Sequence, residues 1–256
     1  MAKGKKRGRG IYLLPNLLTT AALFAGFYAI VAAIVGRYVP AAMAIFVAGI
    51  LDGLDGRIAR LTNTQSEFGV QYDSMSDMVS FGVAPAVIVY AWSLSSMGEL
   101  GNVWGKVGWL AAFLYAACAA LRLARFNAQS GVADKEYFQG LASPAAAGLL
   151  ASMVWVAEDF GLSGEALRTP TLLVTLLAAG LMVSKVRYFS FKSIAVKDKV
   201  PFVAMLLLVL IFVLLAIDTP KVLFGVAVVY LLSGPVMTLF GIYRQRGRRR
   251  SAREKS

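Results

Sequence analysis

Long apolar runs separated by short polar stretches set the pattern of this chain. They fall at residues 12–35, 38–56, 73–96, 106–127, 141–157, 170–187, 200–217 and 221–243. Each approaches the roughly 20 residues a helix needs to cross the hydrocarbon layer of a membrane. The pattern predicts an all-α, polytopic transmembrane helical bundle of eight spans; six spans also satisfy it if two of the runs do not cross. The first run follows the basic segment MAKGKKRGRG. It is too long for the apolar part of a signal peptide and no clear small-residue cleavage site follows, so it is read as a helix of the mature protein.

Composition agrees. Of 256 residues, 58% are hydrophobic and 16% charged, against about 45–50% and 25% in ordinary globular domains. A soluble enzyme, a disordered chain and a disulfide scaffold are excluded. The charge is lopsided, with 26 Lys+Arg against 14 Asp+Glu and a net +12. If the N-terminus is cytoplasmic, the segments 1–10, 57–72, 122–140, 185–199 and 244–256 carry 22 of the basic residues, and only Arg37, Lys106, Arg168 and Lys221 fall outside. Basic residues concentrate in cytoplasmic loops, so both termini are expected in the cytoplasm. The tail RQRGRRRSAREKS is expected on anionic membrane lipid, not on nucleic acid. The chain reads as one membrane domain over 1–256, with two further spans over 199–243 and the basic tail at 244–256. Trp92, Trp104, Trp109 and Trp155 lie toward the outer ends of spans, where an aromatic belt is expected.

Two scarcities narrow the chemistry. There is no histidine, so no imidazole base or ligand exists. The single cysteine, Cys118, sits in an Ala-rich run and reads as a small packing residue. Any metal is then held by oxygen, which favours hard cations. Against that background, four carboxylates stand out, because ionisable groups at membrane depth mark function by default. Asp52 and Asp55 are spaced i, i+3 at the end of the second run; Asp73 and Asp77 are spaced i, i+4 at the start of the third. Each pair shares a helix face. The short loop 61–72 makes the two helices antiparallel neighbours, so all four converge at one depth near the inner surface. Arg57 and Arg60 follow closely, but two cations do not balance four anions. One or two divalent cations would, as in sites that clamp phosphate oxygens. Gly53 and Gly56 would let a helix or ligand approach the backbone.

The arrangement Asp52-x-x-Asp55-Gly56-x-x-Ala59-Arg60, then eight residues, then Gly69-x-x-x-Asp73-x-x-x-Asp77, closely resembles the signature of the CDP-alcohol phosphotransferases, with every fixed position filled. LPNLLT at 14–19, LRLARFNAQS at 121–130, FQGLASPAAA at 138–147 and LMVSKVRYFSFK at 181–192 are similar to the serine-using bacterial branch of that family. Ala142 stands where a proline is more usual. The resemblance spans a core of residues 12–192. It implies a bacterial inner-membrane enzyme with its active site facing the cytoplasm. Its expected reaction moves the phosphatidyl group of CDP-diacylglycerol to L-serine and releases CMP, and a homodimer is implied.

By the same resemblance, Asp52, Asp55, Asp73 and Asp77 bind divalent cations, Mg²⁺ or Mn²⁺, two per site, and Asp77 is the general base. Asn16, Thr19, Gly56, Ala59, Arg60, Ser66 and Gly69 are expected at CDP-diacylglycerol; Asn16 on its own also reads as an ordinary helix cap. Serine's carboxylate needs a cation. Arg122 and Arg125 (i, i+3), Lys185 and Arg187 are candidates for it or for the donor phosphates, with Asn127 and Ser184 as further polar groups. Rival readings are the same fold with choline, glycerol 3-phosphate or inositol as acceptor, a cation transporter using the acidic cluster, or a non-catalytic scaffold. A transporter has no reason to carry Gly56, Ala59, Arg60 and Gly69.

Overall fold

A computed structural model of the chain describes residues 13–129, 137–189, 206, 210 and 213–253. It is helical apart from one two-stranded ribbon. The helices are α1 (Leu13–Ile34), α2 (Tyr38–Thr62), α3 (Glu67–Asp77), α4 (Ala84–Trp92), α5 (Asn102–Gln129), α6 (Ser143–Asp159), α7 (Arg168–Val183) and α8 (Thr219–Arg253). A π-helical segment, Met78–Val83, joins α3 to α4, and a 3₁₀ helix, Leu94–Leu100, follows α4. Five stretches are long and apolar enough to cross a membrane: Leu14–Ile34, Tyr38–Thr62, Glu67–Trp92, Asn102–Ala128 and Thr219–Thr238. The chain is an integral membrane protein in its helical make-up. α6 and α7 are shorter, at 17 and 16 residues, and the expected span at 200–217 lies largely outside the described residues.

Small residues let the first helices approach closely. α1 buries Ala25, Ala29, Ala32 and Ala33, and α2 buries Ala41, Ala44 and Ala48, in one core; without a hydrophobic drive in lipid, such close backbone approach is what holds helices together. α6 lies deepest, with Ala146, Ala147, Leu150, Ala151 and Val154 all fully buried. Cys118 is buried, as a packing residue should be.

Polar contacts pin the third span to the first. Ser76 Oγ donates to the Thr19 carbonyl and Ser80 Oγ to that of Ala22, both at 3.2 Å. A Cβ on Gly26 would lie 2.7 Å from the Ser80 Cα, so this crossing requires glycine. Gly26→Val is expected to cost about 2 kcal/mol through overpacking and to lower the thermal midpoint in detergent by several degrees. Gly53→Ala, which meets nothing within 4 Å, should leave the midpoint in place. Equal midpoints for the two variants in a fluorimetric melt would show that the crossing tolerates a side chain.

Several boundaries differ from the sequence reading. α2 runs on to Thr62 and α3 starts at Glu67, so the carboxylates sit inside continuous helices and the connection is shorter than 61–72. The cause is capping: Asn63 closes α2 with φ 52°, and Ser66 Oγ accepts the Gly69 N–H to open α3. Asn16 lies inside α1, so it is not its cap. The run 170–187 stops as helix at Val183, because Ser184 turns extended. Its continuation, β2 (Arg187–Phe189), pairs antiparallel with β1 (Tyr137–Gln139), a ribbon the all-α reading lacks. Trp92 is buried and donates to Glu158 Oε1 at 2.7 Å, so it is a core residue, not part of a belt. Trp104 and Trp109 are exposed.

The bundle has two distinct ends. One carries Arg37, Lys106, Arg168 and Lys221; there Arg168 pairs with Glu165 at 2.8 Å and Lys221 with Asp218 at 2.5 Å. The other end holds the α2–α3 connection, the ribbon and the acidic cluster.

Candidate active site

α2 and α3 both pack against α1 at the site end, and their carboxylates converge there. One oxygen from each of Asp52, Asp55 and Asp73 lies within 4.8 Å of the others. Asp52 is also within hydrogen-bonding reach of Asp77. All four expected carboxylates thus meet, three as a tight trio and Asp77 beside them. Asp55 is 4% exposed and receives the Thr19 hydroxyl at 2.5 Å. Since Ser76 grips the Thr19 carbonyl, α1 acts as a brace that fixes the trio's spacing.

Like charges this close repel strongly. Among the described residues no lysine or arginine forms an ion pair with Asp55, Asp73 or Asp77. Arg60 is exposed and turns its Nε back to the Gly56 carbonyl at 2.9 Å. Asp73 Oδ1 is buried without a hydrogen bond. Three converging carboxylates, an orphaned carboxylate oxygen and no imidazole or thiolate nearby make a donor set suited to a hard divalent cation.

A cavity of about 1070 Å³ opens beside the trio. Asp55 and Asp73 give it an acidic lining beside Thr19 and Asn16 of α1, and Gly56 and Ala59 of α2 and Ser66 and Gly69 at the start of α3 line it too. The sequence marks all eight as donor or metal residues, and the bond from Thr19 to Asp55 joins the two groups. Gly56 has no protein atom within 4 Å of where a Cβ would be. Among the described residues no helix packs on Gly53 or Gly56, and Gly56 lines the cavity, where a ligand could approach its backbone. The N-terminus of α3 edges the same space, and its unpaired amides and dipole favour an anion such as a phosphate. The sequence reading missed Phe68, exposed at the rim and stacked on Tyr72 at 5.9 Å. Its position between Ser66 and Gly69 was the available signal.

The remaining candidates divide. Arg122 is not among the residues that line the cavity and lies within electrostatic range of Asp77. Its Nη1 donates to Ser143 Oγ at 3.1 Å, a partner the sequence did not suggest. Asn127 Nδ2 donates to Ser74 Oγ at 2.9 Å and so ties α5 to α3. Arg125 is bonded to Gln139 of the ribbon. Ser184 caps its own chain, donating to the Leu181 carbonyl at 2.9 Å and accepting the Val186 N–H. Lys185 is exposed, and Arg187 pairs through its backbone with Gln139. Of this group, Arg122 is brought into electrostatic range of the acidic cluster.

A membrane helical bundle with paired carboxylates on two neighbouring helices defines a class, and sequence comparison gives it a name. The model of the CDP-alcohol phosphatidyltransferase family matches residues 12–186, a segment that contains the whole acidic cluster. The chain belongs to the CDP-alcohol phosphatidyltransferase family. It is 36% identical over 231 residues to the CDP-diacylglycerol–serine O-phosphatidyltransferase of Helicobacter pylori, covering 90% of this chain and 92% of that protein. The protein of the same description from Mycobacterium tuberculosis is 40% identical over 173 residues, 63% of this chain and 58% of the relative. That from Methanocaldococcus jannaschii is 35% identical over 144 residues, 56% and 61%.

Proposed function

We propose that the chain is a phosphatidylserine synthase, transferring the phosphatidyl group of CDP-diacylglycerol to the hydroxyl of L-serine and releasing CMP. The observation that carries this is the meeting of Asp52, Asp55, Asp73 and Asp77 beside a cavity, in a chain similar along most of its length to enzymes of that description.

The division of the site supports a division of labour. The cavity takes the CDP head group: Asn16 and Thr19 face the nucleotide, Gly56, Ala59 and Gly69 let the diphosphate lie against backbone, and Ser66 and Arg60 flank it. The acyl chains stay among the lipids. Arg122 meets the carboxylate of serine. Asp77, beside the trio and within electrostatic range of Arg122, is the general base. It accepts the proton of the serine hydroxyl as that oxygen bonds to the phosphatidyl phosphorus and the bond to the CMP phosphate breaks, and CMP leaves with the electron pair. Asp52, Asp55, Asp73 and Asp77 would hold Mg²⁺ or Mn²⁺, two per site. The cations would polarise the diphosphate and stabilise the leaving phosphate when bound. Arg125, Asn127, Ser184, Lys185 and Arg187 are further candidates for contacts with serine or the donor phosphates.

β2 ends with Phe189 at the site end, and Asp218, just before α8, stands at the opposite end beside Lys221. This supports eight spans with both termini on the site's side, the cytoplasmic face of a bacterial inner membrane. The whole chain forms one membrane domain that works as a homodimer, and the basic tail rests on anionic lipid.

Purified protein given CDP-diacylglycerol, Mn²⁺ or Mg²⁺ and one alcohol at a time tests the acceptor. CMP release is expected with L-serine and not with choline, glycerol 3-phosphate or inositol. Release with glycerol 3-phosphate but not serine would overturn the serine assignment.

A further inference from the structure

Phe68, in the first turn of α3, is the one aromatic residue among the described residues that line the cavity. Rings are ordinarily buried in a bundle, yet Phe68 is 69% exposed. A belt at the membrane surface would also expose a ring, but the neighbours here are polar: Ser66, Glu67 and Gln71 line the same cavity. The ring is also held in place. It stacks on Tyr72, one turn further along α3, with centroids 5.9 Å apart and planes 16° from parallel, an offset arrangement that aromatic pairs favour. Tyr72 is itself tied to α1. Its hydroxyl lies 2.9 Å from that of Thr20, and the Thr20 hydroxyl gives its proton to the Asn16 carbonyl, so Tyr72 is the donor between the two. Tyr72 thus backs the Phe68 ring, and the exposure of Phe68 leaves ring surface open to a further flat group.

The chemistry of the donor decides what that surface can take. The diphosphate of a CDP-linked lipid is drawn to the cations that the carboxylates would hold, and its acyl chains stay in the bilayer. The pyrimidine is its flat aromatic part, and every base has a π-face on which an aromatic side chain can stack. Asn16, Gln65 and Gln71 line the same cavity, and their amides carry both donors and acceptors for the edge of a base. We propose that Phe68, backed by Tyr72, is the platform on which the cytosine of the donor stacks. This rests on the reading of the cavity as the seat of the CDP head group.

CMP carries the base without the acyl chains, so it separates a stacked base from a lipid contact. The test measures the inhibition constant of added CMP, with KM for CDP-diacylglycerol and for serine, on full-length wild type, Phe68→Ala, Phe68→Leu and Phe68→Tyr. Phe68→Ala should raise the CMP constant and KM for CDP-diacylglycerol about tenfold each, the scale of one base stacked on an aromatic side chain, with KM for serine within about twofold. Phe68→Tyr keeps a ring face and should stay within about threefold of wild type. Phe68→Leu is apolar but has no ring face, and should behave as Phe68→Ala does. An exposed side chain contributes little to folding, so the thermal midpoints of all four proteins should agree. A rise in KM for CDP-diacylglycerol with the CMP constant unchanged would make Phe68 a contact for the acyl chains and overturn the proposal. A Phe68→Leu protein that binds CMP as wild type does, or an equal rise in all three constants, would overturn it too. If CMP inhibits wild type and Phe68→Ala equally, this inference fails and the reading of the cavity stands. If CMP does not inhibit wild type, that reading fails and takes the inference with it.

Discussion

Asp77→Asn is expected to reduce CMP release by about 10³-fold, within the range that a positioned base contributes, while the protein still folds and inserts. Asparagine has the size of aspartate and keeps a hydrogen-bonding oxygen, so the contact with Asp52 need not be lost. What goes is the negative charge and the capacity to take a proton from the acceptor hydroxyl. The sign of the stability effect is informative. Asp77 is one of four mutually repelling carboxylates, so in metal-free protein its neutralisation relieves repulsion. The thermal midpoint should hold or rise as activity disappears. Detergent-solubilised wild type and variant, compared by CMP release and by melting in parallel, give both numbers. A variant keeping more than about a tenth of wild-type turnover would be incompatible with a general base at this position. A scaffold role predicts no change at all.

Chelation is expected to have the other large effect. EDTA should take activity to background, and Mg²⁺ or Mn²⁺ should restore it. The same titration has a readout independent of catalysis. A ligand that binds only the folded state adds about 2.7 kcal/mol at 100 times its dissociation constant, so the midpoint should climb with cation concentration. Asp73 Oδ1, buried without a hydrogen bond, predicts that Asp73→Asn flattens this climb. Activity unaffected by EDTA would exclude a divalent cation from the site; flux of the cation across proteoliposomes would revive the transporter reading.

The acidic cluster was legible in the sequence because its logic is local. Spacings of i, i+3 and i, i+4 place two side chains on one helix face whatever surrounds the helix, and the short connection keeps the two helix ends close, while α1, on which both helices pack, brings the faces together. The helix starts were less legible. Hydropathy begins the third span near residue 73, but Glu67–Tyr72 is polar and helical because Ser66 caps it. The hydrogen-bond partner of Arg122 was not legible, since Ser143 lies 21 residues on. Trp92 was misplaced for the same reason: its partner Glu158 is 66 residues away, and position along a span cannot reveal which indoles are covered. The ribbon was missed because each strand has three residues, too few to show a period of two.

The wide turn after Asp77 was also invisible to periodicity. Pro85 cannot bond to the carbonyl of Phe81, and the Tyr115 hydroxyl, 34 residues away, takes that carbonyl at 3.1 Å instead. An α-helix advances about 100° per residue, so a turn that holds an extra residue sets the helix beyond it out of phase with the helix before it. α3 can therefore aim Asp73 and Asp77 at α2, while α4, on the same continuous rod, rotates Ile88, Val89 and Trp92 into the core. Met78–Val83 works as a phase shifter. In it the constrained quantity is the number of residues: losing one would turn the acidic half of the rod against the packing half, where exchanging one apolar side chain for another would not.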